Sequence, residues 1–240
     1  MKIQNSTALV TGASRGIGRA LVGALLEAGA KRVYAAARDP GTLAALVQAH
    51  PDRVVALGLD ITNAAQVEAA ARVAADANLL VNNAGLLSAY GLLTATPEVL
   101  EREFATNFYG TLALTRAMLP SLESRGGAVV NVLTVVALAS MAGIGGYSAS
   151  KAAAFSMTQA LRAELKKRGV AVHAVFPGPV DTEMARDITL PKTSPVQVAA
   201  AIVEGIDRGE EDILPDPMSR QVFEQWRRDP KAVEQMFAAM

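Results

Sequence analysis

The stretch Thr11-Gly12-Ala13-Ser14-Arg15-Gly16-Ile17-Gly18 follows a short apolar run, Thr7–Val10, and opens a helical pattern near Gly16–Ala28. Three glycines between a strand and a helix let the backbone turn tightly and approach a pyrophosphate. The helix N-terminus adds unpaired N–H groups and a partial positive charge. The spacing is G-x-x-x-G-x-G rather than G-x-G-x-x-G. In this place it predicts a nucleotide-binding turn, with Gly12, Ser14, Arg15, Gly16, Ile17 and Gly18 as candidate contacts.

Outward from that turn, short apolar runs alternate with helical patterns. Candidate strands are Thr7–Val10, Arg32–Ala36, Val54–Leu59, Leu79–Asn82, Ala128–Leu133, Ala171–Phe176 and Asp212–Leu214. Candidate helices are Gly16–Ala28, Leu43–His50, Ala64–Asp76, Pro97–Leu122, Tyr147–Lys167 and Pro195–Arg208. Strands without polar alternation are buried on both faces, and strand–helix alternation implies parallel crossovers. The expected fold is α/β: a Rossmann-type, doubly wound, seven-stranded parallel sheet with helices on both faces. Thr96-Pro97 and Ser194-Pro195-Val196-Gln197 read as helix starts, the second a capping box. The 240 residues suit a single domain spanning 1–240, with 215–240 as a C-terminal helical appendage. That tail holds the only tryptophan, Trp226, and reads equally as a lid, a dimer contact or plain surface.

Composition narrows the function. The chain is 51% hydrophobic and 19% charged, which supplies a large core. Lys plus Arg equals Asp plus Glu at 23 each, so bulk charge points to neither nucleic acid nor an anionic membrane. There is no cysteine, which removes thiolate nucleophiles and Cys-ligated zinc, and no metal site is expected. Gly126–Ser150 carries no charge, yet its start, Val129-Val130-Asn131-Val132, reads as a buried strand leading into a site loop rather than a membrane span. The N-terminus is no signal peptide, and a cytoplasmic location is expected.

The end of the second strand selects the nucleotide. An acid there holds a ribose 2′-hydroxyl, whereas arginine suits a 2′-phosphate. The chain reads Ala35-Ala36-Ala37-Arg38-Asp39. Arg38, with Arg15, favours NADP(H); Asp39, one position on, leaves NAD open.

Four ordered motifs resemble the short-chain dehydrogenase/reductase family: Thr11-Gly12-x3-Gly16-x-Gly18, Asn82-Asn83-Ala84-Gly85, Tyr147-Ser148-Ala149-Ser150-Lys151, and Pro177-Gly178-Pro179-Val180 with Thr182. Tyr147 and Lys151 are i and i+4 and share a helix face. A nearby ammonium is expected to lower the tyrosine pKa toward operating pH, so that Tyr147 works as general acid/base. The resemblance adds that Lys151 bonds the nicotinamide ribose and that Asn107 organises a water chain to it. It also places a catalytic hydroxyl thirteen residues before the tyrosine, where this chain has Thr134 instead of serine. A threonine hydroxyl still donates to an oxyanion, but its methyl narrows the site. By the same resemblance Asp60, with Ile61, meets the adenine, Asn83, Ala84 and Gly85 pass the adenosine ribose, and Pro177, Gly178, Val180 and Thr182 frame the carboxamide.

Candidate substrate positions include Leu87, Val136, Ser140 and Met184, mostly apolar. The expected activity is interconversion of an uncharged ketone or aldehyde and its alcohol, as a carbonyl reductase. Alternatives are a silent NADP-binding sensor or docking protein, and an NAD-dependent alcohol dehydrogenase. A homo-oligomer is expected. No glycine-pair strand follows Asp212–Leu214, which favours a homodimer over a tetramer.

Overall fold

The computed structural model describes residues 1–240. Seven strands form one parallel sheet: β1 (Thr7–Thr11), β2 (Arg32–Ala37), β3 (Val54–Gly58), β4 (Leu79–Asn82), β5 (Ala128–Val132), β6 (Ala171–Val175) and β7 (Asp212–Ile213). Their spatial order is β3-β2-β1-β4-β5-β6-β7, so the winding reverses between β1 and β4. A ligand crevice belongs at the carboxyl ends of the strands at that reversal. The glycine turn stands there.

The central strands β1, β4 and β5 are buried along their whole length. Their side chains divide by parity, because successive residues point to opposite faces. Ala8 and Val10 face a layer made by α1 (Gly16–Glu27) and α7 (Pro195–Arg208), through Leu21, Leu25, Ile202 and Ile206. Leu9 and Leu80 face the other layer, which holds α3 (Ala64–Val73), α5 (Thr111–Ser124) and α6 (Gly145–Lys166). Helix α2 (Ala44–Ala49) lies at the β3 edge.

Two expectations about helices need correction. The segment Pro97–Leu122 is not one helix: α4 (Pro97–Phe104) passes through a wider π turn, Ala105–Gly110, into α5. The π turn re-routes backbone hydrogen bonds and carries no proline or charged residue to mark it, so the sequence pattern does not reveal it. Thr96 makes no side-chain cap, and only Pro97 marks that start; the Ser194–Gln197 capping box does form. The run Leu43–His50 forms α2 as expected, entered through a 3-10 turn at Pro40–Leu43.

The tail forms α8 (Pro217–Arg228) and α9 (Pro230–Ala238). Val222, Val233 and Phe237 are buried in the same cluster as Met157 and Leu161 of α6. Trp226 packs edge-on to Phe155, which packs edge-on to Phe176. These helices therefore continue the core, as apolar anchors of α8 and α9 require.

Candidate active site

The glycine loop is shaped by positions where a side chain has no room. Gly16 has φ +55°, a left-handed conformation that favours glycine. A Cβ on Gly18 would collide with the Gly12 carbonyl and the Asn83 side chain. Ala13 N–H donates to Ala36 O at 3.0 Å, tying the loop to the end of β2. Ser14 and Ile17 lie half-buried along it. Arg15 pairs with Glu183, in a short 3-10 turn at Glu183–Ala185.

One residue that sequence reading left out of the site, Thr11, joins this loop to β4. Its hydroxyl donates to Val81 O at 3.3 Å and accepts from Asn83 N and Ala84 N, both at 3.0 Å. Asn83 Nδ2 returns a bond to Thr11 O at 2.9 Å. The Asn82–Gly85 turn is thereby locked against the glycine loop. The signal was the hydroxyl at the end of the first strand.

At the end of β2, Arg38 is exposed, while Asp39 is occupied: its Oδ1 accepts from Gly41 N at 2.9 Å and caps the 3-10 turn. Asp60 Oδ1 accepts from both Thr62 Oγ1 at 2.7 Å and Thr62 N at 2.9 Å. Those bonds, and Arg38 nearby, hold the Asp60 carboxyl below its usual pKa. The first helix position after it is capped by Asn63, so Asp60 is free of capping duty. Ile61 is buried, and a Cβ on Gly110 of the π turn would meet its side chain at 2.8 Å.

The second cluster gathers Tyr147, Lys151, Asn107 and Thr134. Tyr147 and Lys151 lie in the first turns of α6 and are both buried. Lys151 Nζ donates to Val132 O at 2.8 Å and sits 5.9 Å from the centre of the Tyr147 ring. Burial lowers the lysine pKa to about 8, so at neutral pH it is still an ammonium. Tyr147 behaves differently from the expectation. Its pKa is pushed up, by burial first and by the Glu103 carboxylate second. The ammonium turns to the Val132 carbonyl, leaving desolvation to prevail, and the side chain is held as a neutral phenol.

Asn107 sits in the π turn, where hydrogen bonding is re-routed. Its amide pins two neighbours: Oδ1 accepts from Leu86 N at 2.9 Å, and Nδ2 donates to Leu86 O at 2.8 Å and Ser150 Oγ at 2.9 Å. Ser150 Oγ donates in turn to Tyr147 O at 2.7 Å. Thr134 follows β5 and caps a 3-10 turn, Val135–Ala137, its hydroxyl accepting from Val136 N at 3.3 Å. That leaves the hydroxyl hydrogen free to donate. Behind the site, buried Asn82 donates to Thr115 and Asn131, and Asn131 to Thr158, joining the strand ends to α5 and α6.

Glu103, absent from the sequence reading, is 1% exposed and accepts from Ser88 N at 2.7 Å. A Cβ on Gly146, next to Tyr147, would strike its carboxylate. Burial raises its pKa. An acid in a half-apolar helix gives no sign in sequence that it turns inward.

The loop after β6 completes the site. Pro177 O accepts from Val135 N at 3.1 Å, Val180 bridges to Thr193, and Thr182 packs its methyl near Gly16. Of the substrate candidates, Leu87 is half-buried, Val136 is buried among core side chains, and Ser140 and Met184 are exposed. No three His, Cys, Asp or Glu side chains cluster to hold a metal. No helix is long and apolar enough to cross a membrane.

Residues 6–193 match the family model for short chain dehydrogenases. The chain belongs to that family. Among solved structures it is similar to a short chain dehydrogenase from Burkholderia cenocepacia in complex with NADP, with 40% identity, a TM-score of 0.93 and 99% of each chain covered. It is 35% identical over 191 residues to a sorbitol dehydrogenase from Cereibacter sphaeroides, covering 76% of this chain and 73% of that one. It is 34% identical over 191 residues to a carbonyl reductase [NADPH] 2 from Sus scrofa, covering 79% and 78%. The fold is the Rossmann-type sheet these relatives imply, and the family makes the chain an oxidoreductase acting on small molecules.

Proposed function

We propose that this protein is an NADP(H)-dependent carbonyl reductase that interconverts an uncharged ketone or aldehyde and its alcohol, with Tyr147 as general acid/base. The observation that carries the reading is the buried Tyr147–Lys151 pair, a phenol kept protonated beside an ammonium that spends one of its donors on Val132 O.

The residues fit a dinucleotide. Lys151 has two N–H groups left for ribose hydroxyls, and Gly85, without a Cβ, leaves the way to Nζ open. The glycine loop presents the start of α1 to a pyrophosphate. At the adenine end Arg38 is free and Asp39 is engaged, which supports a 2′-phosphate over a bare ribose. The NADP complex of the Burkholderia cenocepacia relative agrees.

The bound nicotinamide supplies or accepts the hydride. In reduction, Tyr147 O–H donates its proton to the carbonyl oxygen, and Thr134 O–H donates a hydrogen bond to the same oxygen as charge develops. The resulting phenolate is stabilised by Lys151, which stays charged below about pH 8. Asn107 holds Leu86 and Ser150, and through Ser150 the first turn of α6. The relatives include both a sorbitol dehydrogenase and a carbonyl reductase, so substrate choice rests on this chain's own lining. Half-buried Leu87 and exposed Met184 favour an apolar ketone over an anion. The same reading takes the groove between α5 and α6, lined by Phe108, Leu112, Leu119, Met157 and Leu161, as the face on which two copies pair.

The test is a panel of ketones, aldehydes and alcohols with NADPH or NADP, run on wild type and Tyr147→Phe. Turnover by wild type and its collapse in the variant is the expected result. Tight NADPH binding without turnover on any substrate would sink the enzyme; equal turnover in the variant would sink the mechanism.

A further inference from the structure

We infer that Asp216 is a positioning residue for the nicotinamide end of the site: its carboxylate ties the Pro177–Val180 loop to the start of α8. The inference rests on the dinucleotide reading above. Asp216 lies beyond residues 6–193, the span that matches the family model.

Asp216 is 1% exposed. Its Oδ1 accepts from Ser219 N at 2.8 Å, an ordinary N-cap for α8. Its Oδ2 accepts from Gly178 N, also at 2.8 Å, across 38 positions of sequence. A cap alone does not call for an acid, since Asn and Ser cap as well as Asp. Two N–H groups reaching the two carboxylate oxygens do. An asparagine has one acceptor oxygen, so its NH2 would confront one of those N–H groups.

The bond falls on a significant peptide. Gly178 N–H and Pro177 C=O belong to one planar unit. The carbonyl side is held by Val135 N at 3.1 Å, next to Thr134, and the N–H side by Asp216. With both edges fixed, the unit cannot flip. Helix α8 is seated firmly enough to serve as the anchor. Phe223 lies 5.4 Å from Phe176, which immediately precedes Pro177, and Trp226 lies 6.3 Å from Phe155, one turn beyond Lys151. A Cβ on Gly178 would meet Asp216 Oδ1 at 3.0 Å and Met218 at 3.3 Å, so loop and helix are in close contact. The C-terminal segment thus fixes the loop that faces Thr134.

The experiment compares wild type, Asp216→Asn and Ser219→Ala. Each is titrated with NADPH and with 2′,5′-ADP, which carries only the adenine half. Thermal melting and hydrogen exchange at the Gly178 amide are measured without ligand. Asp216→Asn is expected to expose the Gly178 amide to exchange, to bind NADPH about tenfold more weakly, and to bind 2′,5′-ADP as wild type does. Ser219→Ala breaks the capping box but leaves the Gly178 bond; it should lower the melting temperature with both affinities unchanged. Asp216→Asn that melts early yet keeps wild-type affinity for both ligands would reduce Asp216 to a helix cap. Equal weakening of both ligands would also overturn the inference, because the effect would then not be confined to the nicotinamide end. Wild type that fails to bind NADPH overturns the cofactor reading first, and the role of Asp216 with it.

Discussion

At the glycine loop, two short side chains, Thr11 and Asn83, clamp backbone groups of neighbouring strand ends, Ala13 N bonds Ala36 O, and the glycines matter for the side chains they lack. Around Tyr147 the weight falls on long amide and ionisable side chains. Side chains of Glu103 from α4, Asn107 from the π turn, Ser150 and Lys151 from α6 and Asp216 at the start of α8 make the bonds, and all five are buried. The two ends meet different chemical demands. A pyrophosphate is bound by amide N–H groups and a helix dipole, which any compatible backbone provides. A proton transfer needs one group with a controlled pKa, and that requires desolvation and specific partners. Mutations at the glycine loop should therefore cost binding, and mutations around Tyr147 should cost rate.

The largest expected effect is at the side-chain end. Tyr147→Phe removes the proton donor while keeping the ring's packing, and kcat should fall by roughly 10²- to 10⁴-fold. NADPH affinity should stay close to wild type, because the glycine loop is untouched. A parallel loss of affinity would break the division between the two ends.

Next comes the glycine-loop end, at Arg38, the exposed guanidinium directly after β2. Arg38→Ala should shift the ratio of kcat/KM for NADPH over NADH toward NADH by roughly tenfold, the discount reflecting its solvent exposure. Turnover at saturating NADPH should change little. An unchanged ratio would refute the assignment of Arg38.

These two ends were not equally legible in sequence, and the comparison explains why. Backbone sites leave local traces. Gly12, Gly16 and Gly18 stand within one turn, and Asn83–Gly85 directly after a strand, so short motifs expose them. All seven strands fall within a residue or two of their apolar runs because a parallel sheet must be buried on both faces. Side-chain sites assembled over long separations leave less. Tyr147 and Lys151 were legible because both lie on one helix face. Glu103 and Asp216 were not, because an acid reads as solvated until the fold turns it inward. The π turn at Ala105–Gly110 was hidden for a related reason: it changes which groups bond, not which residues are apolar. Arg15 was assigned to phosphate from its place in the loop, and its pairing with Glu183 depends on a loop far along the chain.

Glu103 offers a smaller test of the side-chain end, read as a pH shift. Its carboxylate opposes ionisation of Tyr147. Glu103→Gln keeps an oxygen for Ser88 N but removes the charge. The tyrosine then ionises more readily, so its pKa falls. Alcohol oxidation, which needs phenolate, should reach its plateau at lower pH, and carbonyl reduction, which needs phenol, should begin to fail at lower pH. Profiles of kcat/KM in both directions measure this. Movement of either limb to higher pH would contradict the assigned repulsion.

The smallest effect is expected at Thr134. Its hydroxyl accepts from Val136 N, a bond a serine hydroxyl makes equally well, so Thr134→Ser keeps the hydroxyl in place with its hydrogen free to donate. What changes is one methyl group. A methyl in a packed site is worth at most about 1–3 kcal/mol of discrimination, and here it lies on a half-buried residue, so a few-fold change is expected. The change should be selective: kcat/KM should rise for bulky ketones and stay level for small ones. Uniform loss across both would mean that the methyl holds the Val135–Ala137 turn in place rather than limiting what fits beside Tyr147. That outcome would move Thr134 from the lining of the site to its framework, and would leave the apolar residues Leu87 and Met184 to account for substrate size.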